Sequence, residues 1–332
     1  MTTAPALSII IVSYNTRAMT LACLDSIAAE TRDVDYEVIV VDNASSDGSA
    51  EAIGSHPAVT RLIARDDNIG FARANNLAAE HCRGGFILLL NPDTLVLDGA
   101  IDRLVAFARR RPEAMIWGGR TLFADGRLNP TSVYARMTLW RVFCRAVGLT
   151  GLLKASAVFN GEAIGAWQRD SEREVDIVTG CLLLTTRDLW HRLGGFDPIY
   201  FMYGEEVDLC LRARLIGARP AMTAEATIVH YGGASEATRE GKMVKLLAAK
   251  ATLIDRHFPL YQRRVGLALN AAWPLGRWLA LAAWSRLTGE GRQAAAAGVW
   301  RAVWRRRDEW RHGYRREDAG PPIAVGPALT AG

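Results

Sequence analysis

The first 120 residues alternate short apolar runs with amphipathic stretches, and this alternation restricts the possible folds more than any other feature. The apolar runs lie at 7–15, 36–43, 59–65, 85–91 and 114–119. They lack the period of two that a half-exposed strand shows, so they are typical of parallel strands buried between helix layers. The stretches between them, at 17–30, 48–54, 71–82 and 99–110, are expected to be helices. The sequence therefore predicts a doubly wound α/β domain.

Polar residues directly follow several of these predicted strands. In an open α/β sheet, ligands bind outside the carboxyl ends of the strands, so these residues are the first candidates for a site. They are Ser13, Asn15, Asp42, Asn43, Asn91 and Asp93. The segment FILLLNPDT shows the pattern most clearly, because a buried run ends in Asn-Pro-Asp. It is either a turn or a metal or diphosphate site at the sheet edge.

The glycine loops that usually bind phosphate are absent from the sequence. Neither GxxxxGK[ST] nor GxGxxG follows the first strand, so P-loop hydrolysis and ordinary dinucleotide binding are not supported. A divalent cation with oxygen ligands is the other common way to hold a diphosphate. Asp93 would supply one such oxygen.

Cysteine usage and charge limit the compartment and the partners. Five widely spaced cysteines favour a reducing compartment over a disulfide framework or a structural zinc site. The N-terminus has no basic region before its apolar run, so no signal peptide is expected. The net charge is +5, and residues 301–317 hold seven arginines against three acidic residues. A nucleic-acid-binding core is therefore not expected, since the basic excess is confined to one segment.

The second half of the chain is less regular. Residues 120–175 have no clear period and are interpreted as a flexible connection. A strand and a short helix are expected within 175–197, and another strand at 226–233. The segment 203–217 predicts an amphipathic helix with Val207, Leu211 and Leu215 on one face.

From about residue 236 the sequence is rich in Ala, Leu, Arg and Trp. The apolar segment 265–284 is interrupted by Asn270, Pro274 and Arg277, whereas a spanning helix needs about 20 mostly apolar residues. We interpret it as one or two helices lying on a membrane surface, with tryptophans at headgroup level. The alternative is a packed helical cap with core tryptophans. The Gly- and Pro-rich end, 318–332, is expected to be disordered.

Seven segments taken in order resemble the inverting family-2 glycosyltransferases of the nucleotide-sugar-binding GT-A fold. The likeness is greatest to the bacterial rhamnosyltransferase-like branch, and it covers about residues 7–257. The segments are SIIIVSYN, VDNASSDGS, NIGFARANN, LLNPDT, VTGCLLLTTRDLWHRLGGFD, YGEEVDLCLR and VHYGGAS.

This resemblance implies a domain organisation. A GT-A catalytic domain with a doubly wound mixed sheet would span 1–235, with a nucleotide-binding half at about 1–119 and an acceptor half at about 120–235. A helical, membrane-surface extension would follow at 236–317, and then the disordered tail at 318–332.

The resemblance also implies roles for the donor nucleotide. Asp42 would accept the imide N–H of a uracil or thymine base, and Ser13 and Asn15 would line the base and ribose pocket. Asn68 and Gly70 would close the nucleotide cleft. A helix-capping turn is the alternative explanation of the DNASSDGS segment.

A metal site is implied at the segment NPD, which stands where the family has its Asp-x-Asp-like motif. Asp93 would bind Mg²⁺ or Mn²⁺, and Asn91 would contact ribose or diphosphate. His230 matches a histidine that completes the metal shell in some relatives, although a packed, hydrogen-bonded histidine explains it equally well. Because Asn91 takes the first position of the motif, the metal would have one carboxylate ligand fewer than the Asp-x-Asp-like motif of the family provides.

The pair Glu205-Glu206 matches the acidic pair of the family at the start of an acceptor-side helix, where the second member is the catalytic base. The alternative is two acidic residues that stabilise the positive end of a helix. Close, buried carboxylates seldom both stay ionised, which suits a base for a sugar hydroxyl. Arg212 is expected to pair with Asp208 rather than with a leaving group.

The implied function is transfer of a sugar from a UDP- or dTDP-sugar to a glycan or polyprenyl-linked acceptor in cell-surface polysaccharide assembly. The protein would be cytoplasmic and peripheral on the cytoplasmic face of the inner membrane. Two alternatives remain open at this point: a sugar nucleotidyltransferase, and a non-catalytic, membrane-associated subunit of a polysaccharide synthesis complex.

Overall fold

The computed structural model describes residues 4–165, 167–232 and 238–315. Its strands are Leu7–Ser13 (β1), Tyr36–Asp42 (β2), Arg61–Ala64 (β3), Phe86–Leu90 (β4), Thr94–Val96 (β5), Ile116–Leu122 (β6), Leu128–Asn129 (β7), Val133–Tyr134 (β8), Arg173–Glu174 (β9), Ile177–Val178 (β10), Leu182–Thr186 (β11) and Ala221–His230 (β12). Its α-helices are Arg17–Glu30 (α1), Ser49–Gly54 (α2), Phe71–Ala79 (α3), Ala100–Arg110 (α4), Leu139–Ala146 (α5), Leu149–Leu152 (α6), Arg187–Leu193 (α7), Glu205–Leu215 (α8), Arg239–His257 (α9), Leu260–Thr288 (α10) and Gly291–Arg305 (α11).

One half of the main sheet is parallel. Its strand order is β3-β2-β1-β4, and every pairing among these four strands is parallel. The carboxyl ends of the strands therefore meet at one edge, where Ser13 lies directly beside Asp42. The predicted strands and the predicted α/β class are confirmed in this half.

The other half of the sheet contains antiparallel strands, so the sheet is mixed, as the resemblance to the GT-A fold implied. β11 lies antiparallel between β4 and β6, and β12 is parallel to β6. The three-residue strand β5, which the sequence analysis did not predict, follows Asn-Pro-Asp directly and pairs antiparallel with β12. This pairing sets His230 opposite Thr94, one residue after Asp93.

The strands are buried on both faces because successive side chains enter different cores. In β1, Ile9 and Ile11 pack into one cluster with α1 and α4, whereas Ile10 and Val12 pack into the opposite cluster with α3 and α8. Burial of each such side chain contributes about 1.5–3 kcal/mol. Because both faces of these strands are buried, their sequences lack a period of two.

The segment 120–175 is not a structureless connection, and that expectation was wrong. It contains α5, α6 and several short strands. Arg169 is buried there, and its guanidinium donates to the carbonyl oxygens of Ala163 and Trp167 at 2.6 Å and of Pro130 at 3.1 Å. The Arg169 side chain thus holds this loop together. The loop has no apolar periodicity, so its ordered structure could not be predicted from the sequence.

The buried face of α8 also differs from the predicted one. Leu215 is 78% exposed, whereas the buried positions include Glu205 and Asp208. Asp208 is compensated by Arg212 Nε at 2.7 Å and by His257 Nε2 at 2.8 Å. The expected Arg212–Asp208 pair is therefore confirmed, and hydrophobic periodicity failed here because paired charges occupy core positions.

Helices α9, α10 and α11 pack on one another, and α10 also packs on α5. Trp300 and Trp310 are buried among these helices, so for them the headgroup interpretation was wrong; Trp284, by contrast, is 58% exposed. In the described part of the chain no helix combines the length and the hydrophobicity needed to cross a bilayer. The proposed boundary at 235/236 and the tail at 318–332 lie outside the described residues, so the domain limits stay a prediction.

Candidate functional site at the carboxyl edge of the sheet

Asp42 is the buried acceptor at the end of β2. Only 2% of its surface is exposed, and its Oδ2 accepts a hydrogen bond from the Ser45 amide at 3.0 Å. Its Oδ1 is buried with no hydrogen-bond partner. Because an unpaired buried oxygen is costly, this atom is suited to accept an N–H from a ligand.

The loop before α3 is locked against this edge. Asn43 donates to Asn68 Oδ1 at 2.9 Å, and Asn68 Oδ1 also accepts from the Gly70 amide at 3.0 Å. Gly70 has a φ of +81°, and a Cβ there would lie 2.5 Å from the carbonyl oxygen of Phe201. Glycine is therefore required at this position for both its backbone conformation and its close contact.

The two predicted residues at the end of β1 have different positions. Ser13 is fully buried, and its hydroxyl is within hydrogen-bond distance of those of Thr16 and Thr20. It has no surface left for a nucleotide, so its predicted place in the pocket was wrong. Asn15 is exposed, and its Oδ1 accepts from the Ser46 amide at 2.8 Å, which joins the loops after β1 and β2.

Asn91, Asp93 and His230 converge at the end of β4. Asp93 Oδ1 lies 3.4 Å from His230 Nε2, and Asn91 Nδ2 also lies 3.4 Å from that nitrogen. The convergence follows from the antiparallel pairing of β5 with β12. Two strand spacings, roughly 10 Å, separate this group from the end of β2, which is a distance that a nucleoside diphosphate can bridge.

The electrostatics of this group suit a cation. Burial alone would lower the pKa of His230, but interactions with Asp93 and Cys181 together raise that pKa to about 10. Its Nδ1 is buried without a partner. A carboxylate oxygen and an imidazole nitrogen are both ordinary ligands of divalent ions, which would replace the proton between them. The described residues contain no group of three or more His, Cys, Asp or Glu side chains placed to hold a metal.

The acidic pair lies at the start of α8. Glu205 is buried and Glu206 is half-buried, and in each the Oε2 atom is buried without a hydrogen-bond partner. Burial, and then the charge of Glu206, raises the pKa of Glu205 well above its ordinary value. Burial also raises the pKa of Glu206, although backbone amide groups at the helix start oppose it. One proton is therefore expected to be retained by the pair.

Backbone hydrogen bonds join this edge of the sheet to neighbouring loops, one of which leads into α8. The Phe71 amide donates to the Phe201 carbonyl at 2.9 Å, which links the loop before α3 to the loop before α8. On the other side, the Asn91 amide donates to the Cys181 carbonyl at 3.3 Å. Burial is the main cause of the raised pKa of Tyr134, and the charges of Glu162 and Glu206 raise it further. Tyr134 therefore lies within electrostatic range of the acidic pair.

Sequence reasoning missed several residues around the acidic pair. Lys250 on α9 donates to Glu162 at 2.7 Å, and its positive charge opposes the raised pKa of Glu206. Asn76 on α3 is hydrogen-bonded to both backbone groups of Phe196, at 2.8 and 2.9 Å. No local pattern marks these contacts, because each joins segments more than 80 residues apart in the chain.

Comparison with known proteins gives the class of this fold. The mannosyltransferase PcManGT from Pyrobaculum calidifontis, solved in complex with GDP-Man and Mn²⁺, superposes with a TM-score of 0.54 at 18% identity. The superposition covers 93% of this chain and 88% of that one. The fold is therefore that of the GT-A glycosyltransferases.

The sequence comparisons match part of the chain to a family. Residues 8–162 match the model of Glycosyl transferase family 2. The O-antigen biosynthesis protein RfbC of Myxococcus xanthus is 28% identical over 240 residues, which are 70% of this chain and 18% of that protein. The N-acetylglucosaminyl-diphospho-decaprenol L-rhamnosyltransferase of Mycobacterium tuberculosis is 29% identical over 207 residues, which are 58% of this chain and 66% of that protein. The chain spans less than two thirds of either relative.

Proposed function

We propose that this protein is an inverting, metal-dependent glycosyltransferase. It moves a sugar from a UDP- or dTDP-sugar to a hydroxyl of a glycan or lipid-linked glycan in cell-surface polysaccharide assembly. The observation that carries the proposal is the 3.4 Å approach of Asp93 to His230 at the edge that also holds the unpaired Oδ1 of Asp42. The match to the family 2 model and the GT-A fold support it.

Asp93 and His230 are the residues that would hold Mg²⁺ or Mn²⁺. Such ions commonly bind through one or two protein side chains, with substrate phosphates and water completing the shell, so a two-residue site is sufficient. When bound, the ion would offset the negative charge that develops on the departing nucleoside diphosphate. Asp42 would accept the imide N–H of the base, and Asn91 would contact ribose or diphosphate.

Glu206 is the proposed base, and Glu205 its protonated neighbour. Glu206 would take the proton of an acceptor hydroxyl while the acceptor oxygen forms a bond to the anomeric carbon. The bond from that carbon to the diphosphate oxygen breaks in the same step, and the electron pair leaves with the nucleoside diphosphate. A single displacement inverts the anomeric centre.

The acceptor and the location are part of the same proposal. The name of the M. tuberculosis relative points to a lipid-linked diphosphate acceptor and to a rhamnosyl donor. Exposed apolar side chains on α10, among them Leu279, Trp284 and Leu287, would rest on the cytoplasmic face of the inner membrane.

A thermal-shift screen of nucleotide sugars, with and without Mn²⁺, tests the donor assignment. A ligand present at a hundredfold excess over its Kd stabilises the folded state by about 2.7 kcal/mol. We expect a UDP- or dTDP-sugar, with a rhamnosyl donor in the panel, to raise the Tm only when Mn²⁺ is present. The Asp42→Ala variant should lose this shift. If no nucleotide sugar stabilises the wild-type protein, the proposed function is wrong and the non-catalytic alternative is favoured.

A further inference from the structure

A cavity lies away from the donor edge, between α5, α6 and the loop that follows them. Its volume is about 170 Å³. The residues that line it and matter here are Tyr134, Arg141, Arg145, Thr150, Phe159 and Glu162. None of these residues has a role in the donor site described above.

The cavity is surrounded by more positive than negative charge. Arg145 donates to Glu162 at 2.9 Å, and Lys250 donates to the same carboxylate at 2.7 Å. Burial opposes this ionisation, but the two cations lower the pKa of Glu162 to about 2, so the carboxylate is charged. Arg141 adds a third cation, and no carboxylate of the described residues lies within salt-bridge distance of it.

Arg141 is held in position with hydrogen-bond donors to spare. Its Nη1 donates to the Arg136 carbonyl at 2.5 Å. Gly161 lies against it, and a Cβ at that glycine would lie only 2.9 Å from Arg141 Nε and 2.7 Å from the Ala157 carbonyl oxygen. Arg145 Nε is buried without a partner. Two guanidinium groups thus offer donors to one small cavity, an arrangement that suits phosphate oxygens.

An apolar surface adjoins the cavity. Trp140 packs on Phe143 with ring centroids 5.6 Å apart, and on Phe159, which lines the cavity, at 6.0 Å. Trp140 itself is 47% exposed, and Leu152 on α6 is 80% exposed. An anion bound between the guanidinium groups would therefore have an uncovered hydrocarbon surface beside it.

The cavity is also connected to α8, the helix that carries the proposed base. Tyr134 lines the cavity and pairs with Ile177 of β10, and α8 packs on β10. Lys250 donates to Glu162 at the cavity wall, and its charge also acts on Glu206. A ligand anchored in the cavity could thus extend a sugar hydroxyl toward the acidic pair.

We propose that this cavity binds the diphosphate of a lipid-linked acceptor, with its hydrocarbon chain on the surface formed by α5 and α6 and its sugar directed toward Glu206. The inference rests on the proposed function, which it deepens by placing the acceptor. The chemistry is that of a diphosphate ester joined to a long apolar chain. Arginine donors recognise the diphosphate, and the exposed aromatic and aliphatic side chains recognise the chain.

Binding measurements by calorimetry on the full-length protein test this. The probes are farnesyl diphosphate, inorganic diphosphate and farnesol. We expect farnesyl diphosphate to bind at least about tenfold more tightly than either fragment, because both parts of the site contribute. Saturating UDP or dTDP with Mn²⁺ should not displace it. Displacement by the nucleotide, or equal affinity for inorganic diphosphate, would overturn the proposal.

Variants separate the cavity from the donor edge. Arg141→Ala should weaken farnesyl diphosphate binding at least about tenfold, since charged hydrogen bonds to phosphate are lost, and Arg141→Lys should weaken it less. The matched control is Arg127→Ala, which removes an exposed arginine on the β6–β7 turn and should change nothing. Nucleotide binding should be unaffected in all three variants. Unchanged farnesyl diphosphate binding in folded Arg141→Ala refutes the inference, whereas failure of wild-type protein to bind any nucleotide sugar refutes only the proposed function.

Discussion

The donor edge and the acceptor side of this protein both withdraw carboxylates from water, but they surround them differently. At the donor edge, Asp42 accepts from a backbone amide at 3.0 Å and Asp93 faces an imidazole at 3.4 Å. On the acceptor side, Glu205 and Glu206 form no salt bridge with any described residue, and each has a buried oxygen without a partner.

This difference corresponds to the chemistry that each region is proposed to perform. A ligand for a cation or for a base N–H must present an oxygen acceptor, and at the donor edge a backbone amide and an imidazole hold the two aspartates in place. A general base must release and regain a proton near neutral pH, and burial raises the pKa of Glu206 although the charge of Lys250 opposes the shift. Four sets of variants test whether the two regions differ in this way.

The largest effect is expected at the donor edge. Asp93→Ala should reduce turnover at least about a thousandfold, because the cation supplies several kcal/mol of charge stabilisation and each 1.36 kcal/mol is a factor of ten. Transfer assays at saturating donor, with circular dichroism to verify folding, measure it. Asp125→Ala on the β6–β7 turn is the control and should retain full activity. A folded Asp93→Ala enzyme that remains active removes the metal from the proposal.

The next effect separates the two glutamates. Glu206→Gln should reduce kcat by about 10²–10⁴, the usual contribution of a positioned base. Glu205→Gln replaces a protonated acid by a neutral amide and should keep kcat within about tenfold of wild type at neutral pH. Equal losses in both variants, or the reverse order, would assign the base to Glu205 or to neither.

The same pair predicts how activity and stability depend on pH. Activity should rise with pH as Glu206 loses its proton, with a midpoint above the ordinary glutamate pKa of about 4.3. Stability should change in the opposite direction. Because the folded-state pKa of Glu205 is raised, the unfolded chain ionises first, and the fold loses stability as pH rises above about 4.3. Urea titrations should therefore find Glu205→Gln more stable than wild type at pH 7 and equal to it near pH 4.

A smaller effect on activity, but a large one on stability, is expected one turn along the same helix. Asp208 is buried like Glu205 but is paired with Arg212 and His257, which lower its pKa against the effect of burial. Asp208→Asn should cost about 3–5 kcal/mol at pH 7 because it leaves the Arg212 guanidinium and the His257 ring without their partner. The deficit should shrink as pH falls below about 4, because the unfolded wild-type chain takes up a proton at Asp208 there while the folded protein, with its lowered pKa, still holds the residue ionised. A neutral or stabilising outcome would show that pairing with Arg212 and His257 does not distinguish Asp208 from Glu205.

The smallest effect is expected at the surface of α10. Replacing exposed Trp284 and Leu287 by serine should reduce flotation with anionic vesicles several-fold while leaving nucleotide binding unchanged, because apolar side chains contribute to interfacial binding. Leu215→Ser, which alters an exposed leucine on α8, is the matched control. Unchanged flotation in the double variant removes the C-terminal helices from the membrane proposal.

The donor half could be derived almost entirely from the order of residues along the chain. Each strand there is continuous and doubly buried, so apolar runs such as 36–43 identify it, and the candidate residue follows at the strand end, as Asp42 does. Helix α1 was predicted with its observed bounds. In a parallel sheet, a residue that ends a strand in the sequence also lies at the carboxyl edge of the sheet. Its place in the sequence therefore predicts its place in the structure.

The arrangement of charged residues on the acceptor side could be determined only from the tertiary structure. Glu162, Arg145 and Lys250 come from a loop and two helices, and no spacing rule relates them. Tyr314, near the end of the described chain, donates to the carbonyl of Met202 in the loop before α8. Hydrophobic periodicity carries no signal where core positions are filled by paired charges, and long-range hydrogen bonds leave no trace in a single sequence. The strands could therefore be predicted from the sequence, whereas the charged residues grouped around Glu206 could be identified only in the folded structure.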